Sequence, residues 1–296
     1  MSRIMVDVET GEKYDLASFT TVEQQLAYKE VKDKEERLSK SENPFFFAEM
    51  DEVKGKELTK LDNKNLGWFL ILQTYVDYKN MLRLPNAKLP MKPLEIRRAL
   101  KITDSRTFKT LQAKLEELEL IYTKDVEMYG KTYTAFFIND KYCFKTGLHG
   151  EYKNRKTNKA VKFFINTLQE VYSQEKVNSG DVGLIYKAIQ HLHYNSNILV
   201  QTPSEMDEAF VKPLAIDEFA VSVGIKRQSI HKKLIALTYP CMYRGELREF
   251  RVFARVKVGK HTFLKLNPFI AWRKAGDPPV EAYIEFVMEY NKVNKK

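Results

Sequence analysis

Apolar side chains recur at helical spacing in two stretches that carry the same tripeptide near their start. Met91 to Leu115 reads MKPLEIRRALKITDSRTFKTLQAKL, and about 120 residues later Val211 to Leu234 reads VKPLAIDEFAVSVGIKRQSIHKKL. In the first stretch the spacing predicts a helix over about Lys92–Leu100 and a turn at Thr103-Asp104-Ser105. A second helix follows over Arg106–Glu119, with Phe108, Leu111, Leu115 and Leu118 on one buried face. Alternation then predicts strands at Ile121–Met128 and Thr132–Ile138, joined by Tyr129-Gly130-Lys131. The second stretch repeats the plan with helices at Ile216–Val223 and Arg227–Thr238 around Gly224-Ile225-Lys226. Strands follow at about Glu249–Val258 and His261–Leu266, joined by Gly259-Lys260.

The repeat extends upstream. Leu66-Gly67-Trp68-Phe69 opens an apolar helix that the pattern carries through Tyr75 and Tyr78, and Val182-Gly183-Leu184-Ile185 matches it. Tyr194 falls 116 residues after Tyr78, and Phe137-Ile138-Asn139 is echoed by Lys265-Leu266-Asn267. Before the first copy, residues 3–16 predict a hairpin around a Glu-Thr-Gly turn, and Thr21 to Lys40 a charged helix with few large apolar side chains. Phe45-Phe46-Phe47 is expected to plug the core. Between the copies, Tyr152–Lys162 carries five positive charges and no acid, the character of a connection, and continues into a helix over about Val161–Tyr172. The organisation expected is a hairpin and charged helix over 1–42, a first domain over 43–148, a basic linker over 149–160, a second domain over 161–278, and a C-terminal helix and basic tail over 279–296.

At 296 residues with 44% hydrophobic and 30% charged side chains, the chain is long enough for two ordinary domains with their own cores. No apolar run approaches the roughly 18 residues of a membrane span, and the first ten residues turn acidic without an apolar core. Two cysteines, Cys143 and Cys241, with no Cys-x-x-Cys or Cys/His cluster, suggest neither a disulfide framework nor a structural zinc site. A cytoplasmic protein with no cofactor and no membrane partner is the expectation. The formal charge of +10 is uneven: residues 1–50 hold 7 basic and 11 acidic side chains, the rest 42 and 28. A basic body points to a polyanionic partner, since phosphate contacts release counterions.

Helix, helix, turn, helix, then hairpin, with that apolar spacing, resembles the winged-helix superfamily. The fold class expected is α+β, with two winged-helix domains in tandem and an N-terminal extension. In that motif the second helix of the pair enters the major groove, where all four base pairs are distinguishable. The resemblance therefore assigns double-stranded DNA contact to Thr103, Ser105, Arg106, Thr107, Lys109, Thr110 and Lys114 in the first copy. In the second it assigns Lys226, Arg227, Gln228, Ser229, His231, Lys232 and Lys233. Arg106 and Arg227 are candidates for guanine and Gln228 for adenine, while hydroxyls and lysines hold phosphate. Lys131 and Lys260, beside the hairpin glycines, are placed to reach phosphate or the minor groove.

Two basic domains of this kind over residues 45–275 resemble the replication initiators of plasmids and some phages, which use tandem winged helices to bind repeated origin sequences. That implies an origin-binding protein with host replication proteins as partners and a homodimer as an available state. A winged-helix transcription regulator acting on operators is the alternative. A third reading is a metal-dependent nickase using His191 and His193, because His191-Leu192-His193 matches the pattern in which two imidazoles on one strand face bind a metal. The helical spacing of Ile185, Ala188, Ile189 and Leu192 argues against it, since a helix would splay the two rings roughly 200° apart. No P-loop, Gly-x-Ser-x-Gly or His-Glu-x-x-His sequence is present, so no catalytic residues are assigned.

Overall fold

The computed structural model describes residues 4–6, 13–15, 44–145, 160–207, 209–243, 246–258, 261–274, 276–279, 282 and 286. The chain divides into two compact units, Met1–Pro44 and Phe45–Lys296. In the first, β1 (Ile4–Val6) and β2 (Lys13–Asp15) pair antiparallel with Met5 opposite Tyr14, the hairpin expected over 3–16. The charged helix expected over 21–40, the linker as far as Lys159, the Gly259-Lys260 tip and most of the C-terminal helix and tail lie outside the described residues.

The second unit is mixed α+β and is built from two copies of one plan. The first copy runs β3 (Phe45–Glu49), α1 (Met50–Val53), α2 (Lys56–Thr59), α3 (Asn63–Gln73), α4 (Pro93–Ala99), α5 (Ser105–Glu117), β4 (Ile121–Met128), β5 (Lys131–Ile138) and β6 (Cys143–Phe144). The second runs β7 (Ala160–Phe164), α6 (Ile165–Ser173), α7 (Ser179–Ala188), a 3-10 turn at Ile189–His191, α8 (Ile216–Ser222) and α9 (Arg227–Ala236). It closes with β8 (Thr238–Tyr243), β9 (Glu246–Arg251), β10 (Phe253–Val258), β11 (His261–Leu266) and β12 (Ala271–Trp272). No described helix is long and apolar enough to cross a membrane.

The copies meet through a four-stranded sheet of order β12-β7-β3-β6, in which β3 and β7 are the central antiparallel pair. Phe46 lies opposite Phe163 and Phe47 opposite Lys162, while β6 flanks β3 and β12 flanks β7. Residues 46 and 162, and 47 and 163, correspond at the repeat offset. Exchanging the copies therefore reproduces the same pairing, which is the mark of an internal two-fold. Helices α3 and α7 repeat that relation. Asp62 caps α3 by accepting from Asn65 N at 2.7 Å, and Asn178, at the corresponding place, caps α7 by accepting from Asp181 N at 3.1 Å. Gly67 and Gly183 sit where the two helices cross, and a Cβ on either would collide with the other helix's backbone. One continuous hydrophobic core includes Phe46 and Leu115 of the first copy with Val182 and Leu234 of the second.

Asn80 and Asn197 are a further repeated device. Both are buried with left-handed φ (59° and 57°), and each side-chain amide donates to a carbonyl of its copy's closing strand, Cys143 O and Ala271 O. Each also offers its own carbonyl to the hairpin, at Ile138 N and Leu266 N. Asparagine is among the few non-glycine residues that take this conformation readily, and here its amide is held by a carbonyl distant in sequence.

The structure corrects several expectations. Phe45-Phe46-Phe47 does fill the core through Phe46, but as part of a central strand, with Phe45 and Phe47 half-buried. Val161–Phe164 belongs to β7, and the helix begins at Ile165. Lys162, read as part of the connection, is buried there and donates to Gly276 O at 2.6 Å. Helix α3 stops at Gln73, short of Tyr75 and Tyr78, because the chain turns at Asp77–Asn80 to bring Val76 against Leu82. The strand expected over Glu249–Val258 is broken at Val252, whose N–H bonds Leu237 O, and an extra hairpin, β8–β9, is inserted between α9 and β10. The expected end of the second helix at Thr238 gives way to β8.

Candidate nucleic-acid interface

Helix α5 is fixed at its start by its own sequence. The Asp104 carboxylate accepts from Thr107 N at 2.7 Å, Thr107 Oγ1 at 2.8 Å and Arg106 N at 3.2 Å, so the hydroxyl first and the amides next hold its pKa below the ordinary carboxylate value. Phe108, Leu111 and Leu115 pin one face to the core. That leaves Ser105, Arg106, Lys109 and Thr110 exposed, with Thr107 and Lys114 half-exposed. Thr103 is exposed in the turn, and its carbonyl is held by the Arg97 guanidinium. Thr110 Oγ1 donates back to Arg106 O at 3.0 Å. The preceding helix end is clamped from two sides: Trp68 Nε1 donates to Leu100 O at 3.0 Å and Tyr172 Oη at 2.6 Å.

Helix α9 is built likewise on buried Ile230 and Leu234. The turn before it passes through Gly224 at φ +69°, the left-handed exit that glycine takes without a Cβ penalty. Lys101 at φ 53° is its counterpart. It offsets a less favourable backbone by donating its Nζ to Ser173 O at 3.0 Å and lying 4.8 Å over the Tyr172 ring. Lys226, Arg227, Gln228, Ser229, His231 and Lys232 are exposed.

The positive charges of α9 differ in what holds them. Lys233 is half-buried, its Nζ 2.7 Å from Asp181 Oδ1, and Asp181 is a buried member of the α7 capping box. Lys233 therefore fastens α9 to α7. Arg227 pairs with Asp217, but those side chains are 77% and 39% exposed. A pair that open to water is worth about 0–1 kcal/mol, so Asp217 does little to hold the Arg227 guanidinium. Arg106, Lys109, Lys226 and Lys232 are engaged by no carboxylate among the described residues.

Hairpin β4–β5 closes in a two-residue turn with Tyr129 at φ 52° and Gly130 at φ 69°, the geometry of a type I′ turn. Lys131 follows it, exposed, and Tyr129 is 72% exposed at the tip. Lys260, the corresponding candidate, lies outside the described residues. A cleft of about 700 Å³ lies beside the start of α5, lined by Lys64, Trp68, Lys101, Asp104, Thr107 and Asn178 among others. A second, of about 450 Å³, lies beside α9 between Lys176, Asn178, Gln228, Ser229 and Lys232. Both are bordered by Val177 and Asn178, so the beginnings of the two helices flank one short segment.

His191 ends the 3-10 turn that follows α7, and His193 lies beyond it. Helix α7 ends at Ala188, and Leu192 is extended and bridges Leu199, which corrects the helical splay expected for the two rings. His193 is buried with Nδ1 3.0 Å from Ser196 Oγ and Nε2 3.0 Å from Glu205 O, and His191 meets Phe219 edge-on. Among the described residues no group of three or more His, Cys, Asp or Glu side chains is placed to hold a metal ion.

The acids that face α9 escaped sequence reasoning. Asp181 lies 52 residues from Lys233, and nothing local joins them. Tyr129 carried a usable signal, an aromatic in a two-residue turn next to glycine. Compared with family models, curated proteins and solved structures, the chain matches none of them.

Proposed function

We propose that residues 45–274 form two winged helices in tandem, α4–α5 with β4–β5 and α8–α9 with β10–β11, and that the chain binds double-stranded DNA sequence-specifically. One observation carries this reading. Two helices without an acidic side chain over 105–115 and 226–236 each present an exposed polar and basic edge, Ser105, Arg106, Lys109 and Thr110 on one and Arg227, Gln228, Ser229, His231 and Lys232 on the other. Arg106, Arg227 and Gln228 read base edges; Ser105, Thr110, Lys109 and Lys232 hold phosphate; Lys131 and Tyr129 serve the first wing. Lys233 and Thr107 support the helices rather than read DNA. The biological role we propose, following the resemblance to plasmid and phage initiators, is to mark an origin of replication for the host machinery.

Selection of bound sequences from a random duplex library at stated salt tests the binding. Enrichment of a defined sequence supports it, and recovery of unenriched DNA overturns it. Enriched sequences lying at an origin support initiation, and sequences lying over promoters replace it with transcription regulation.

A further inference from the structure

We infer that the DNA site of this chain is an inverted, imperfect repeat, with two unlike half-sites facing each other and read by a single chain. The inference rests on the DNA-binding reading above and goes beyond it to the symmetry of the target.

Two copies of a reading unit can be related by translation along a duplex, which reads direct repeats, or by a two-fold, which reads inverted ones. The central strand pair decides between them. In β3–β7, Phe46 faces Phe163 and Phe47 faces Lys162, so the operation that takes the first copy to the second also returns the second to the first. A translation cannot do that. The flanking strands follow the same rule, β6 outside β3 and β12 outside β7. So do the crossing glycines, Gly67 against Ser179 and Gly183 against Asn63. This is the isologous contact of a two-fold dimer, here written within one chain.

The reading helices inherit the relation because each helix pair is tied to both copies. Leu100 O, at the end of α4, accepts from Trp68 of its own copy and Tyr172 of the other. Val223 O, at the end of α8, accepts from Lys187 of its own copy and Asn63 of the other. Duplex DNA has local two-folds perpendicular to its axis, so a two-fold-related pair of reading helices meets half-sites in opposite orientation. The half-sites differ because the edges differ. Helix α5 offers Ser105, Arg106, Lys109 and Thr110, whereas α9 offers Arg227, Gln228, Ser229, His231 and Lys232.

The test uses the full chain and the duplex enriched from the random library. Anisotropy titrations compare that duplex with one in which a single half-site is turned into direct orientation at unchanged spacing, and native mass spectrometry counts chains per duplex. The expected result is one chain per duplex and affinity about 10- to 100-fold weaker after reversal, the loss of one half-site's base contacts. Unchanged affinity, an enriched motif of direct repeats, or two chains per duplex overturns the inference while leaving sequence-specific binding in place. Absence of any enriched sequence removes the binding reading and this inference with it.

Discussion

Gly67 and Gly183 occupy corresponding positions and face each other's helices. A Cβ on Gly67 would stand 1.7 Å from Ser179 O, and one on Gly183 2.0 Å from Asn63 O. Alanine is intrinsically the better helix residue by about 1 kcal/mol, but overpacking against a backbone costs about 3 kcal/mol or more. Gly67→Ala and Gly183→Ala are each expected to lower unfolding free energy by at least about 2 kcal/mol in urea titrations. Gly180→Ala, whose Cβ would meet only Asn178 Oδ1 at 3.0 Å, is expected to stay within about 1 kcal/mol of the parent chain. Equal stability of all three variants would mean the crossing is looser than described.

At the same crossing, the buried Gln73 amide donates to Tyr186 Oη at 3.0 Å. Removing the hydroxyl leaves a buried donor without its acceptor. Tyr186→Phe is expected to cost about 1–3 kcal/mol, measured by the same titration, and no change would show the amide finding another acceptor.

Arg227 and Lys131 are expected to fail differently. Arg227→Ala should weaken binding to the enriched duplex by about 1–3 kcal/mol and bind random duplex much as before. Lys131→Ala should weaken both alike and reduce the salt slope by about one unit. Asp217→Asn removes the acid beside Arg227 and should tighten binding to all duplexes. Equal losses on cognate and random DNA for both Arg227→Ala and Lys131→Ala would contradict the division between base and phosphate contacts.

Stability should also depend on pH through His191. Burial, and secondarily the nearby Lys54, lower its pKa from the ordinary 6.5, partly opposed by the neighbouring Val200 backbone. The folded chain thus keeps the ring neutral where the unfolded chain takes up a proton. Its contribution is unchanged well above pH 6.5 and turns against folding as pH falls through that value toward the depressed folded pKa. Melting temperature should fall between pH 7.5 and about 5.5, and His191→Phe, which keeps the edge contact with Phe219, should flatten that decline. A variant with the parent's full pH slope would assign the effect elsewhere.

The elements that carry the proposed reading edges were legible because they are amphipathic and local. Helix α5 was expected from Arg106 and begins at Ser105, and β4 matches its expected span. The sheet that joins the copies was not legible. Its strands are short, their partners lie 95 to 119 residues apart in sequence, and β7 is buried along nearly its whole length, so no alternation marks it. Lys-Pro-Leu pointed to a real repeat at a shifted register. Pro93 opens α4, where a missing N–H costs nothing, whereas Pro213 lies before α8 and bridges Val200. The positive charges on α9 were visible as charges, but the acids that hold Lys233 and Arg227 come from α7 and α8 and emerge only from packing.

The most direct test of the account is a methylation-protection footprint on the enriched duplex. Guanine N7 protection is expected in two separate major-groove patches on one face. Combined Arg106→Ala and Lys109→Ala should erase one patch, and Arg227→Ala with Gln228→Ala the other. A footprint that both double variants leave intact, or one confined to the minor groove, would contradict reading by α5 and α9.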